Sequence, residues 1–192
     1  LTRERDQLVD ERSSIKNQIH AEQLEARPNE SSLKRMNERI KMLNKQEIEI
    51  KSEITAIIDK DKGLKSDLKR SQSIPGIGAL TAAIVYAETN GFELIRNKRQ
   101  LTSFAGLDVK EKQSGTSVKG KPQISKRGNK HLRKAMHLPA LSAIRHDEKY
   151  KALFARLVSK HGIKMKAVTA VQRKLLELIY VLHKNKTTYK TH

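Results

Sequence analysis

The chain has 192 residues, 36% of them apolar and 4% aromatic, with 40 Lys and Arg against 21 Asp and Glu, a formal charge of +19 at pH 7. This composition favours helices over sheets and calls for a polyanionic partner, with DNA the first expectation. The absence of Cys excludes a disulfide framework and a thiolate metal centre. No apolar run approaches the roughly 20 residues of a membrane-spanning helix, so no membrane partner is expected.

The charge is unevenly placed. Residues 1 to 70 hold 16 basic and 14 acidic residues, whereas residues 71 to 192 hold 24 and 7. Two domains are therefore expected, 1–70 and 71–192, with the excess charge in the second. The sequence opens on Leu1 inside a helical pattern, as expected of a fragment.

From Leu33 the positions Leu33, Met36, Ile40, Leu43, Glu47, Ile50, Ile54, Ile57, Asp61, Leu64 and Leu68 step by alternating threes and fours, and nine of these eleven are apolar. Leu1, Leu8, Ile15 and Ile19 form an earlier stripe that stops at Arg27-Pro28, where proline disfavours helix in the residue before it. Ser31 or Ser32 is suited to cap the second helix. The expectation is an antiparallel coiled-coil hairpin whose second helix is too long for the first to cover, so that it pairs with another copy in a homodimer or higher oligomer, with packing back onto the chain's own second domain as the alternative. Glu47 and Asp61 read as wet points on the seam, the alternative being polar residues that set its register.

Residues 73–83, SIPGIGALTAA, place a proline and two glycines before a helical stretch running to about Glu88. Proline ends the preceding helix, and the glycines permit backbone geometry and close approach denied to other residues. The pattern matches the hairpin of a helix-hairpin-helix motif, in which Pro75, Gly76, Ile77 and Gly78 would line the DNA contact and main-chain N–H groups at the start of the next helix would hold the phosphate. Such contacts position a duplex without reading its bases. An ordinary glycine-rich turn between helices has the same ingredients.

After a short helix over Asn97–Phe104, residues 108–134 carry three glycines, a proline and little hydrophobic periodicity, which predicts a long basic loop. Between Lys110 and Lys134 there are nine basic residues and one acid, Glu111. Lys119, Lys121, Lys126, Arg127, Asn129, Lys130 and Arg133 are the expected phosphate contacts. Within the strip, Gln113-Ser114-Gly115-Thr116-Ser117 offers a small hydroxyl with unhindered approach among cations, the requirements of a phosphoryl-transfer nucleophile. A solvated serine-glycine turn fits the local pattern as well. Helices are expected again over His137–Arg145, Tyr150–His161 and Met165–His183, followed by a frayed basic tail. The histidines lack metal-ligand spacing, and no metal or cofactor is expected in these residues.

Taken together, SIPGIG with TAA, LTSFAGL, QSG and ISKRGNKHLRKAM occur in the order of the carboxyl-terminal domain of the DEDD-type insertion-sequence transposases related to the Piv pilin-gene invertases, and residues 71–185 resemble that domain. The resemblance implies a bacterial cytoplasmic recombinase whose RuvC-like domain, absent from this sequence, binds a divalent metal such as magnesium through four acids. In some members a guide RNA from the element is a further partner. It also implies that Ser114 is the nucleophile, with Ser117 the alternative three residues on. Where the family commonly carries an acid near the end of the post-hairpin helix, this chain has Asn90-Gly91. The expected whole is an all-α fragment of a DNA transposase, inactive alone. The competing readings are a non-catalytic dimeric DNA-binding module and an RNA-associated structural protein.

Overall fold

The computed structural model describes residues 1–110, 113–114, 118–119 and 123–190, and the chain divides into two units, Leu1–Lys62 and Gly63–His192. The described residues form an all-α fold with two short antiparallel strand pairs.

In the first unit, α1 (Thr2–Gln23) and α2 (Glu30–Lys60) pack antiparallel, since Arg12 meets Asn44 while the earlier Arg5 meets the later Glu47. Asn29 caps α2, accepting from the Ser32 N–H at 3.0 Å, where the sequence pointed to Ser31 or Ser32. The reason is position: Asn29 is the extended residue directly before the first helical one. Met36, Leu43, Ile50 and Ile54 bury the heptad stripe. The apolar pattern continues to Leu68, but the helix does not. Asp61 turns extended (φ −110°, ψ 104°), consistent with a short carboxylate that competes for backbone N–H groups and disfavours helix interiors.

Glu47 is not a wet point on the seam. It is 5% exposed and takes Arg5 Nη2 at 3.0 Å, Lys51 Nζ at 2.8 Å and Arg12 Nη1. Burial pushes its pKa up, but the hydrogen bonds from Lys51, Arg12 and Arg5 outweigh that and bring it down to about 2.

The second unit comprises α3 (Lys62–Gln72), α4 (Ala79–Glu88), α5 (Lys98–Phe104), α6 (Lys130–Ala135), α7 (His137–His146), α8 (Glu148–His161) and α9 (Lys164–Asn185). α9 is its axis: Ala167, Val171, Leu175 and Ile179 recur every four residues and are fully buried, and α5, α7 and α8 pack around it. Tyr180, on the same helix, donates to the Ile95 carbonyl at 3.2 Å and meets the Phe92 ring edge-on. The expected frayed tail is strapped down through Tyr189. Its N–H donates to Ser73 Oγ at 2.8 Å, and its hydroxyl donates to Asp147 Oδ2 at 3.0 Å. Asp147 is buried, and its other oxygen caps α8 through Lys149 N and Tyr150 N.

The basic strip is not wholly loop. β1 (Val109–Lys110) pairs with β4 (Gln123–Ile124), and β2 (Gln113–Ser114) with β3 (Val118–Lys119), all antiparallel. Val109, Val118 and Ile124 are strand formers, and spacing too irregular for a helix still suits a two-stranded ribbon.

The Glu47 cluster stabilises the first unit fully above pH 4.5 and loses its contribution as pH falls from 4.5 to about 2, because the folded state holds the carboxylate ionised where the unfolded state protonates it. Glu47→Gln should weaken amide-exchange protection in α1 and α2 at pH 7 by on the order of 2–3 kcal/mol. The gap between variant and parent should close as pH approaches 2. A gap independent of pH would show that Glu47 acts by packing alone.

Candidate nucleic-acid interface

The turn between α3 and α4 is built from Ile74-Pro75-Gly76-Ile77. The Ile77 N–H donates to the Ile74 carbonyl at 3.0 Å, and Gly76 has φ +89°. Proline at the second position and glycine at positive φ at the third are the signature of a type II turn. Ile74 and Ile77 are buried and anchor it on both sides. The two glycines of the motif have different surroundings. A Cβ on Gly76 would meet the Pro139 carbonyl oxygen at 2.9 Å and Ser142 Cβ at 3.0 Å, so this bare backbone lies against α7. Gly78 is exposed and has nothing within 4 Å of a Cβ position. It is the N-cap residue of α4, which has no side-chain cap, so the helix N-terminus opens to solvent with its partial positive charge.

The roots of the ribbon form a backbone knot. Phe104-Ala105-Gly106-Leu107-Asp108 lies against Ser125-Lys126-Arg127-Gly128-Asn129, with Asn129 N–H donating to Phe104 O at 2.7 Å, Lys126 N–H to Gly106 O at 3.1 Å and Ser125 N–H to Asp108 O at 2.8 Å. Gly106 has φ +66°, and a Cβ there would stand 2.6 Å from Gly128 N. A Cβ on Gly128 would stand 2.2 Å from Phe104 O and 2.4 Å from Gly106 N, so no side chain fits. Lys126 sits at φ +53°, an uncommon conformation for a residue with a side chain. The surrounding bonds hold it there.

Two residues expected to meet phosphate are engaged inside the knot. Arg133 Nη1 donates to the carbonyls of Ala105 at 2.8 Å and Gly128 at 3.0 Å. Asn129 accepts from Leu132 N at 3.0 Å, capping α6, and its amide donates to Glu88 Oε2 at 2.6 Å. Glu88, the last residue of α4, thus places a carboxylate two residues before Asn90-Gly91. The available signal was its isolation, since it is the first acid after residue 70 in a strongly basic region. The Asp108 carboxylate accepts from Ser125 Oγ across the ribbon root, a second tie that spacing alone does not reveal.

Lys126, Arg127 and Lys130 are exposed. Pro75 is half-buried. Ser114 lies in β2 with its Cα opposite Val118, and Lys119 lies in β3 opposite Gln113. Ser117 and Lys121 fall outside the described residues. Gly78 and the knot sit at opposite ends of α4, about 15 Å apart along its axis at 1.5 Å per residue. Among the described residues no three His, Asp or Glu side chains converge as a metal site, and no helix is long and apolar enough to cross a membrane.

Residues 68–155 match the model of the transposase IS116/IS110/IS902 family. The chain is similar to the transposase for insertion sequence element IS1111A of Coxiella burnetii, with 32% identity over 162 residues, covering 78% of this chain and 43% of that protein. It is also similar to an insertion element IS110 uncharacterized 43.6 kDa protein of Streptomyces coelicolor, with 26% identity over 62% of this chain and 29% of that protein. The pilin gene-inverting protein of Moraxella bovis matches at 29% identity over 57% of this chain and 34% of its own length. The chain thus spans less than half the length of each of these relatives.

Gly128→Ala should be strongly destabilising, by about 3 kcal/mol or more, because its Cβ meets backbone that cannot yield. Gly78→Ala should cost under about 1 kcal/mol. Thermal melts followed by circular dichroism check both. Equal melting of the two variants would mean that the knot relaxes around a side chain.

Proposed function

We propose that this chain is the DNA-binding and nucleophile-bearing part of an insertion-sequence transposase of the IS116/IS110/IS902 type. The observation that carries the reading is the family match over residues 68–155, which runs through the turn at Gly76, the knot and the ribbon bearing Ser114. The names of the relatives, transposases and pilin gene-inverting proteins, agree on DNA rearrangement.

In this reading the turn between α3 and α4 is the hairpin of a helix-hairpin-helix element. Gly78 and the open first turn of α4 take one phosphate, while Lys126, Arg127 and Lys130 take others at the ribbon root. Asn129 and Arg133 then act as positioning residues, holding the knot rather than touching DNA. Ser114 Oγ attacks a phosphodiester phosphorus. The bond from phosphorus to one sugar oxygen breaks, that oxygen leaves as a hydroxyl, and the strand end stays on the enzyme as a serine ester. Attack on that ester by a sugar hydroxyl from another strand completes exchange without loss of phosphodiester energy. The divalent metal implied by the family resemblance belongs to a RuvC-like domain. The described residues hold no cluster that fits one.

The helical hairpin of the first unit would join copies of the chain. Ile57, a heptad residue left 48% exposed on α2, favours self-association over a solitary hairpin. A guide RNA is a further partner of the whole protein in this reading.

In the full-length protein, Ser114→Ala should abolish recombination and the covalent protein–DNA adduct while changing DNA affinity less than about twofold, since one neutral hydroxyl adds little to a strip of nine cations. Adduct trapping on a nicked substrate, with Ser117→Ala alongside, is the measurement. An adduct that survives Ser114→Ala and disappears with Ser117→Ala moves the nucleophile three residues along. Survival in both variants places the nucleophile outside this ribbon and leaves this part of the protein a binding module.

A further inference from the structure

Nine of the 24 Lys and Arg in residues 71–192 lie between Lys110 and Lys134, so most of that region's positive charge sits elsewhere. A second concentration lines a trough formed by α5, α8 and α9. One section, of about 640 Å³, has Leu153, Leu178 and Val181 among its lining, with Lys98, Lys149, Arg156 and Lys174 around them. The next section shares Lys98 and Val181 and continues to Arg96 and Lys184.

Helical spacing accounts for the arrangement. Lys149, Leu153 and Arg156 are four and three residues apart on α8, and Lys174, Leu178 and Val181 repeat that spacing on α9. Each helix therefore turns a stripe of mixed cationic and apolar character to the trough. With Arg99, which lines the second section, all seven cations of the trough are exposed. The carboxylate among the lining residues is Glu177, which takes Lys174 at 3.3 Å and Arg173 at 4.0 Å. Nothing in the lining neutralises Lys98, Lys149 and Arg156, and like charges around one concavity attract a polyanion.

The lining also selects among polyanions. Tyr150 and Tyr180 contribute to the trough but are 4% and 6% exposed, so their rings are not free to stack on bases. A single strand is thereby denied the main source of its affinity for such a groove. A duplex needs no such platform: its phosphates meet the cations and its sugar edges the apolar floor. α5 separates this trough from the ribbon root, with Lys98 opening the helix and Phe104, whose carbonyl belongs to the knot, closing it.

We propose that the trough between α5, α8 and α9 is a second site for the backbone of duplex DNA, additional to the contacts at the turn and the ribbon root. This rests on the DNA-recombination reading. It gives the second unit two backbone-holding surfaces on one buried core built along α9.

The test is the salt dependence of binding to a duplex of arbitrary sequence. Lys98→Gln/Lys149→Gln/Arg156→Gln should lower the slope of log affinity against log salt by about 2 to 3, near 0.9 for each phosphate that is no longer neutralised. Lys160→Gln/Lys164→Gln/Lys190→Gln, exposed but outside the trough, should lower it by less than about 1. Because the chain has no cysteine, Ala152→Cys can carry a photo-crosslinker at the trough alone. It should give adducts with duplex DNA that unlabelled duplex DNA competes away and that single-stranded DNA or poly-glutamate does not. An equal reduction of the slope in the two triple variants, an unchanged slope, or better competition by poly-glutamate or duplex RNA would each overturn the proposal. A parent chain that fails to bind duplex DNA would sink the recombination reading itself, whereas a parent that binds and a trough variant that keeps its slope would sink only this inference.

Discussion

The second unit depends on one close approach. Gly106 and Gly128 bring two backbone segments nearer than any pair of side-chain-bearing residues could come, and the Arg133 guanidinium bridges the carbonyls of both segments. This approach fixes where the ribbon leaves the helical core. It also sets the start of α6, since Asn129 is at once the last residue of the knot and the cap of that helix. Through Glu88, the same asparagine ties the knot to the end of α4. A strip rooted in backbone hydrogen bonds keeps its origin fixed on the helical core.

The turn at residues 73–78 follows a similar logic with its duties divided. Gly76 serves the fold, since its positive φ makes the turn and its missing side chain admits α7. Gly78 is free of neighbours and serves the surface. The sequence pattern treats the two alike, because spacing reveals that bare backbone is needed and not what approaches it. The same limit explains Arg133 and Asn129. A cation in a basic strip reads as a phosphate contact, and only the folded chain shows two carbonyls already occupying it.

Helical periodicity was the most legible layer. The stripes on α2 and α9 and the boundaries of α4, α5, α7 and α8 follow from apolar spacing and from Asn, Asp and Gly at helix ends, all of which are local. What spacing could not convey was partnership between distant residues. Glu47 breaks a heptad, which by itself signals a weak point; its burial depends on Arg5 and Arg12 arriving from α1, some forty residues earlier. The ribbon was hidden for the same reason. Strand pairing is non-local, and Val109 opposite Ile124 carries no signature within either segment.

The acids of the second unit show how a strongly basic fold limits self-repulsion. Asp147 caps α8 and holds the tail through Tyr189, Asp67 meets Arg70, His183 and Lys186, and Asp108 closes the ribbon root. Each sits where a structural junction needs an acceptor, leaving few acids to neutralise the exposed cations of the ribbon root and the trough. Much of the positive charge that folding does not use lies at the ribbon root and along the trough. Buried apolar packing along α9 offsets the repulsion of that concentration, because hydrophobic burial is indifferent to the net charge outside it. A chain arranged in this way would gain stability from any polyanion it bound, by mass action on the folded state, because the bound charge would offset the mutual repulsion of its cations.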